Sequence, residues 1–249
     1  MSRDERALLA GLNDPAVAPA IATGDLEILG LLPNSSNYTF LVRATSDGVD
    51  PLLAVYKPRR GEMPLWDFPQ GTLCRREVAA YVIAQALGWP NVPSTILRDG
   101  PEGLGSVQTF VEFEPHEHYF TLAERFADVF RQVALFDVLV NNADRKGGHT
   151  LLGLDGRIWV IDHGVCFHTE PKLRTVIWEH MDEPIAADSL ADVERLGEML
   201  QSGSPLRDDL AALLDQEEIA AMHRRVREIL AEPKMPSPQG DRPFPWPPV

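Results

Sequence analysis

Apolar positions alternate in short runs through the first 112 residues, and a helical period governs most of the remaining chain. Leu26–Leu32, Tyr38–Ala44 and Leu52–Lys57 are rich in branched and aromatic residues. Turn-forming groups at 33–37 and 45–51 separate them, which predicts two consecutive hairpins. A broad apolar face over Leu73–Leu87, closed by Gly88 and followed by Pro90, predicts a helix. Val92–Leu97 and Gly105–Glu112 read as two further strands around a turn at 99–103, giving an antiparallel sheet of five. Residues 59–70 form a Pro- and Gly-rich loop whose Trp66 and Phe68 are expected to fold back onto the domain. Ser2–Leu12 reads as a short helix with Ser2 as its cap.

Beyond the polar connector Glu112–His118 the pattern changes. Thr121 with Glu124 three residues later forms a capping box for a long helix, Leu122–Val140, apolar almost all round its second half. Two apolar runs, Thr150–Leu154 and Arg157–Ile161, flank Asp155-Gly156 and predict a tight hairpin. Leu190–Gln201, Leu206–Leu214 and Gln216–Glu232 read as helices. The segment 233–249 is too rich in proline for helix or inner strand, and Phe244 and Trp246 are its candidate anchors. The class is α+β: a β-rich lobe over 1–113, an α-rich lobe over 114–232, and a tail.

Composition narrows the function. A chain of 249 residues with 44% hydrophobic and 24% charged positions is that of an ordinary globular protein. Its formal net charge of −14 argues against nucleic-acid binding through a broad basic surface, and makes peripheral membrane contact unattractive. Two cysteines, Cys74 and Cys166, do not make a disulfide scaffold and are expected to be reduced, buried thiols of a cytoplasmic protein. Residues 1–6 lack the order of a signal peptide, and no apolar run approaches the roughly 20 residues of a membrane span.

The candidate chemistry is concentrated at the hairpin. Asn141, Asn142, Asp144, Arg145, Lys146 and His149 precede its first strand; Asp162, His163 and His168 come after its second. Because a hairpin returns the chain, the Asp144–His149 loop and Asp162 should lie side by side, gathering oxygen and nitrogen ligands for a metal and a phosphate. Lys57, at the end of an apolar strand, can reach inward as a point charge for a phosphate. Glu77 sits on the Leu73–Leu87 helix, where it could hold that lysine. The turn at Ser35, Ser36 and Asn37 offers backbone N–H groups and hydroxyls as a phosphate clamp.

In this order and on these elements, the motifs resemble those of the atypical kinases related to phosphatidylinositol 3- and 4-kinases and to HipA-type kinases, and within them an actinobacterial group. The resemblance covers roughly residues 24–167. Those kinases carry D-R-H-x-x-N and, about a dozen residues later, D-x-G; here Asp144-Arg145-Lys146-Gly147-Gly148-His149 and Asp162-His163-Gly164 stand in their places. The resemblance implies a two-lobed protein-kinase-like fold, ATP and Mg²⁺ as cofactors, and a hydroxyl acceptor on a protein, polyol or lipid. It implies Asp144 as catalytic base, with Lys146 or Arg145 offsetting charge. It places Lys57 on the ATP phosphates, held by Glu77, and adenine on the backbone of Phe110, Val111 and Glu112. Asp162 becomes the metal ligand, with His149 or Asn142 as second ligand. His149 replaces the expected asparagine, which makes Mn²⁺ an alternative metal and leaves a nucleotide-binding pseudokinase in contention. A metal-dependent phosphohydrolase built on Asp144, His149, Asp162, His163 and His168 is the third reading.

Overall fold

A computed structural model describes residues 19–33, 37–238 and 242–249. The helix expected at Ser2–Leu12, and Ser35 and Ser36 of the candidate phosphate clamp, lie outside the described residues. A short helix α1 (Pro19–Thr23) leads into β1 (Asp25–Leu31), β2 (Phe40–Ser46) and β3 (Val49–Pro58). Helix α2 (Leu73–Leu87) precedes β4 (Thr95–Gly100) and β5 (Gly103–Thr109). The five strands form one antiparallel sheet in the order β1-β2-β3-β5-β4.

The alternation that predicted the strands also sets their faces. Val42, Ala44, Ala54, Tyr56, Ile96 and Val107 are buried with α2, so one face of the sheet forms a core with that helix. Gly88, left-handed at φ 86°, ends α2 by donating its N–H to the Ala84 carbonyl at 2.9 Å. The helix is more deeply placed than an amphipathic pattern implies. Arg75, Arg76 and Glu77 are buried along with its apolar residues, because the second lobe covers its other side.

That lobe contains α3 (Tyr119–Leu122), α4 (Ala127–Val140), the hairpin β6 (Thr150–Leu152) and β7 (Ile158–Val160), then α5 (Ala187–Met199), α6 (Pro205–Leu213) and α7 (Gln216–Ala231). Helices α5 and α6 both contact α2. Trp89 Nε1 donates to Asp192 at 2.8 Å, and Arg75 donates to the Ala212 carbonyl at 2.9 Å.

The long helix expected over Leu122–Val140 is divided. Thr121 does not cap it: its hydroxyl accepts from the His118 N–H at 3.0 Å and donates to Glu117 at 2.5 Å. That local bonding makes Thr121 the third residue of α3, and a turn separates α3 from α4. The hairpin is as expected but shorter. Gly156, at φ 77°, turns the chain, and the Gly153 N–H donates to the Arg157 carbonyl at 2.9 Å.

Two apolar expectations need correction. Phe68 is buried, but Trp66 is 92% exposed, with the Lys172 ammonium 5.0 Å from its ring centroid. In the tail Phe244 and Trp246 face outward, Trp246 at 88% exposure. The tail is fixed by its backbone instead. The Pro243 carbonyl accepts from the Thr175 N–H and the Trp178 indole, both at 3.1 Å, and the Pro248 carbonyl accepts from the Gly147 N–H at 2.7 Å. Among the described residues no helix is long and apolar enough to cross a membrane.

Candidate functional site

The sheet, α2 and the hairpin converge on Lys57. Its ammonium, at the end of β3, donates to Glu77 Oε1 from α2 and to Asp162 Oδ1 at 2.9 Å from the segment after β7. These residues lie 20 and 105 positions away in sequence, so the contact depends on both lobes. Burial alone would lower the lysine pKa, but the carboxylates of Asp162 and Glu77 outweigh it and hold it well above the usual range. Burial raises Glu77 despite the lysine beside it. Asp162 goes the other way: chiefly through Lys57, its carboxyl is held well below the usual carboxylate range.

Glu77 is held from two more directions. Its Oε2 accepts from the His163 N–H at 2.9 Å, which ties α2 to the residue after Asp162. Arg76, one position earlier, donates to the Cys166 carbonyl and pairs with Glu218 of α7. Asp162 itself is left-handed at φ 63°, a conformation that costs a non-glycine residue energy and is kept by these surrounding bonds.

Asp144 stands in the loop between α4 and β6. Its carboxylate pairs with Lys146 Nζ at 3.1 Å and is about one-third exposed. Burial, opposed by Lys146 and assisted by Asp162, raises its pKa. The loop is held from beneath by Arg145, which has no exposed surface. Arg145 Nε donates to Asp137 Oδ2 at 2.9 Å, its Nη1 donates to the Ile161 carbonyl at 2.9 Å, and its Nη2 meets His163 Nε2 at 2.7 Å. Arg145 is therefore an anchor of the loop, not a free positive charge at the site. Its partner Asp137 fits the helical period as a lone acid in the apolar half of α4, and that isolation is the one sequence signal of its pairing.

The expected metal ligands are placed unequally. Asp162 presents a partly exposed, ionised carboxylate, an oxygen donor suited to a hard divalent cation. Asn142 does not fit that role. It is fully buried, its Nδ2 donates to Asp137 at 2.9 Å, and its Oδ1 accepts from the Asp144 N–H at 3.0 Å. His149 lies 3.3 Å from Asp162 Oδ2 through Nε2, and its Nδ1 accepts from the Lys146 N–H at 3.4 Å. That tautomer leaves the proton on Nε2, facing the carboxylate. Burial lowers the imidazole to about 4, with Asp162 opposing, so His149 stands beside the Asp162 carboxylate as a buried, neutral imidazole.

Of the adenine-contact candidates, the Phe110 N–H is bonded to the Leu53 carbonyl, and the Glu112 carbonyl to the Leu154 N–H. Val111, between them, makes no backbone hydrogen bond to any of the described residues. Asn37, the described part of the candidate clamp, accepts from the Met63 N–H at 2.7 Å through its side chain, which ties its turn to the loop after β3. His163 is fully buried against Phe136, and His168 is turned to the Asp67 carbonyl at 3.0 Å. Of the residues read as a phosphohydrolase set, His163 and His168 are thus bonded elsewhere, while His149 stays beside Asp162. Among the described residues no three His, Cys, Asp or Glu side chains group as a metal cage.

No family model matches the chain. The crystal structure of the Helicobacter pylori proinflammatory kinase CtkA superposes with a TM-score of 0.54, covering 85% of this chain and 93% of that one at 11% identity. A likeness at that identity is one of fold, and the fold is kinase-like. Protein Rv2133c of Mycobacterium tuberculosis (strain ATCC 25618 / H37Rv) is 42% identical over 262 aligned positions, which cover 91% of this chain and 93% of that protein. On that identity and coverage, the chain belongs to the family of protein Rv2133c.

Proposed function

We propose that the protein is an ATP-dependent phosphotransferase that moves the γ-phosphoryl group to a hydroxyl of a protein, polyol or lipid acceptor. The observation that carries this reading is the triangle of Lys57, Glu77 and Asp162, assembled from three distant segments where the lobes meet. Phosphoryl transfer needs positioned charge more than covalent chemistry, and this arrangement provides it. Lys57, held by Glu77, would contact the α- and β-phosphates. Asp162 would hold Mg²⁺, which when bound neutralises phosphate charge. The Val111 backbone groups would receive adenine.

Asp144 would accept the proton of the acceptor hydroxyl. Its raised pKa makes it a better base than an ordinary carboxylate, and Lys146 at 3.1 Å keeps it ionised and faces the charge that develops on transfer. The pair of free, buried thiols, Cys74 and Cys166, suits a protein of the reducing cytoplasm. The test is single-turnover phosphoryl transfer from labelled ATP. Asp144→Asn should bind ATP as the wild type does and transfer at least about 100-fold more slowly. Equal transfer rates in the two proteins would remove Asp144 as base.

The pseudokinase remains as the second reading, because His149 directs a proton and not a lone pair at Asp162. It predicts ATP binding without transfer, in the presence of any divalent metal.

A further inference from the structure

A cavity of about 940 Å³ lies among the end of α4, the segment 170–174, helix α7 and the tail. It shares no lining residue with the Lys57–Asp162 triangle, and its size is that of a small-molecule pocket. Its charge is unusual for a chain of net −14. Two of its cations are neutralised: Lys172 by Asp67 at 2.9 Å and Lys234 by Glu232 at 2.7 Å. Arg174, Arg225 and Arg242 also line it, and none has a carboxylate within ion-pair distance among the described residues. Two acids, Glu170 and Glu228, share the wall and leave these arginines in excess.

Arg225 is the informative member. Its Nε donates to the Leu139 carbonyl at 2.9 Å and its Nη1 to the His168 carbonyl at 3.4 Å, while Nη2 is buried without a partner among the described residues. Burial, reinforced by neighbouring Arg224, pushes its pKa down to about 10. The fully buried Arg145 and Arg76 are treated differently: each is given a carboxylate, Asp137 and Glu218 respectively. Arg225 is a partly buried guanidinium whose hydrogen bonds go to carbonyls and whose nearest acid, Glu228, acts only electrostatically, an arrangement that an anion would complete.

We propose that this cavity binds a small phosphorylated ligand, its phosphoryl group held by Arg174, Arg225 and Arg242. The guanidinium fork matches phosphate oxygens in pairs. Leu173, Trp178 and Ile229 give the cavity an apolar wall for the ligand's carbon skeleton. The site bears on the catalytic loop without entering it. Asn141 on the cavity wall clamps the His168 and Glu170 carbonyls at 2.9 and 2.7 Å, and the Arg174 N–H donates to the Asn142 carbonyl at 2.9 Å. The proposal stands independently of the phosphotransferase reading.

The test is a titration of the whole protein with inorganic pyrophosphate in the presence of a chelator, monitored by the NMR signal of the Trp178 indole N–H. The Arg174→Gln/Arg242→Gln double variant alters two exposed side chains and should fold normally. A saturable shift in the wild type, weakened roughly tenfold or more in the double variant, is the expected result. Sedimentation with vesicles of phosphatidylcholine and phosphatidic acid, dependent on the same two arginines and without a pyrophosphate response, would assign the phosphoryl group to a lipid headgroup. No response to either probe, or undiminished response in the double variant, overturns the proposal.

Discussion

Lys57 donates to Oδ1 of Asp162, and the His149 imidazole stands 3.3 Å from its Oδ2. The two neighbours differ in kind: the lysine is a held charge that donates to Oδ1, the histidine a buried imidazole 3.3 Å from Oδ2 whose Nδ1 accepts from the Lys146 N–H. This predicts that the imidazoles of His149 and His163 remain neutral from about pH 8 down to about pH 5, where an exposed histidine would be protonated. Burial lowers both, His149 to about 4 and His163 well below its ordinary value. Two-dimensional NMR of the imidazole nitrogens checks it, and titration of His149 near about pH 6.5 would contradict its burial as a neutral imidazole. On acidification the unfolded chain takes up these protons before the folded one does, so their contribution to stability falls as pH drops from about 6.5 toward about 4. Lys57, Glu77 and Asp162 were legible in the sequence because strand end, helix turn and hairpin end each leave a pattern. The inward placement of Asn142 was not legible. Which way an amide or an imidazole points is decided by loop backbone groups such as the Asp144 and Lys146 N–H, and these have no sequence signature.

At the scale of elements, the site depends on two buried supports. One is α2, whose Glu77 is fixed because Arg75 and Arg76 on the same helix are bonded into the second lobe. The other is the α4 end, where Asp137 holds Arg145 under the Asp144–His149 loop with neither side chain exposed. Removing one member of such a pair strands a buried charge. Asp137→Ala should therefore cost about 3–5 kcal/mol in urea unfolding, a far larger loss than from an exposed pair such as Arg43–Glu27. A loss below about 1 kcal/mol would mean that the loop is held by other contacts. The strands and the hairpin were readable from alternation and turn residues. The division between α3 and α4 was not, since Thr121 reads as a cap and instead bonds back to His118 and Glu117. The anchors of the tail were not readable either, because carbonyls of proline residues hold it where aromatic side chains were expected.

In the whole molecule, the β lobe contributes Lys57 and Glu77, and the α lobe contributes Asp144, Lys146, His149 and Asp162. The lobes are also joined by other contacts. Asp67 pairs with Lys172 across them, Arg76 with Glu218, and Trp89 with Asp192. The triangle is thus preorganised, with no hinge movement needed to bring Lys57 to Asp162. What remains to be met is the ligand that this charge arrangement suits. The most direct measurement is ATP binding by calorimetry with Mg²⁺, with Mn²⁺ and with no divalent metal, on the wild type and on Asp162→Asn. Metal-dependent ATP binding that the substitution abolishes is the result predicted. ATP binding that is unaffected by metal and by Asp162→Asn would contradict the role given to Asp162, and no ATP binding under any condition would contradict the nucleotide site itself.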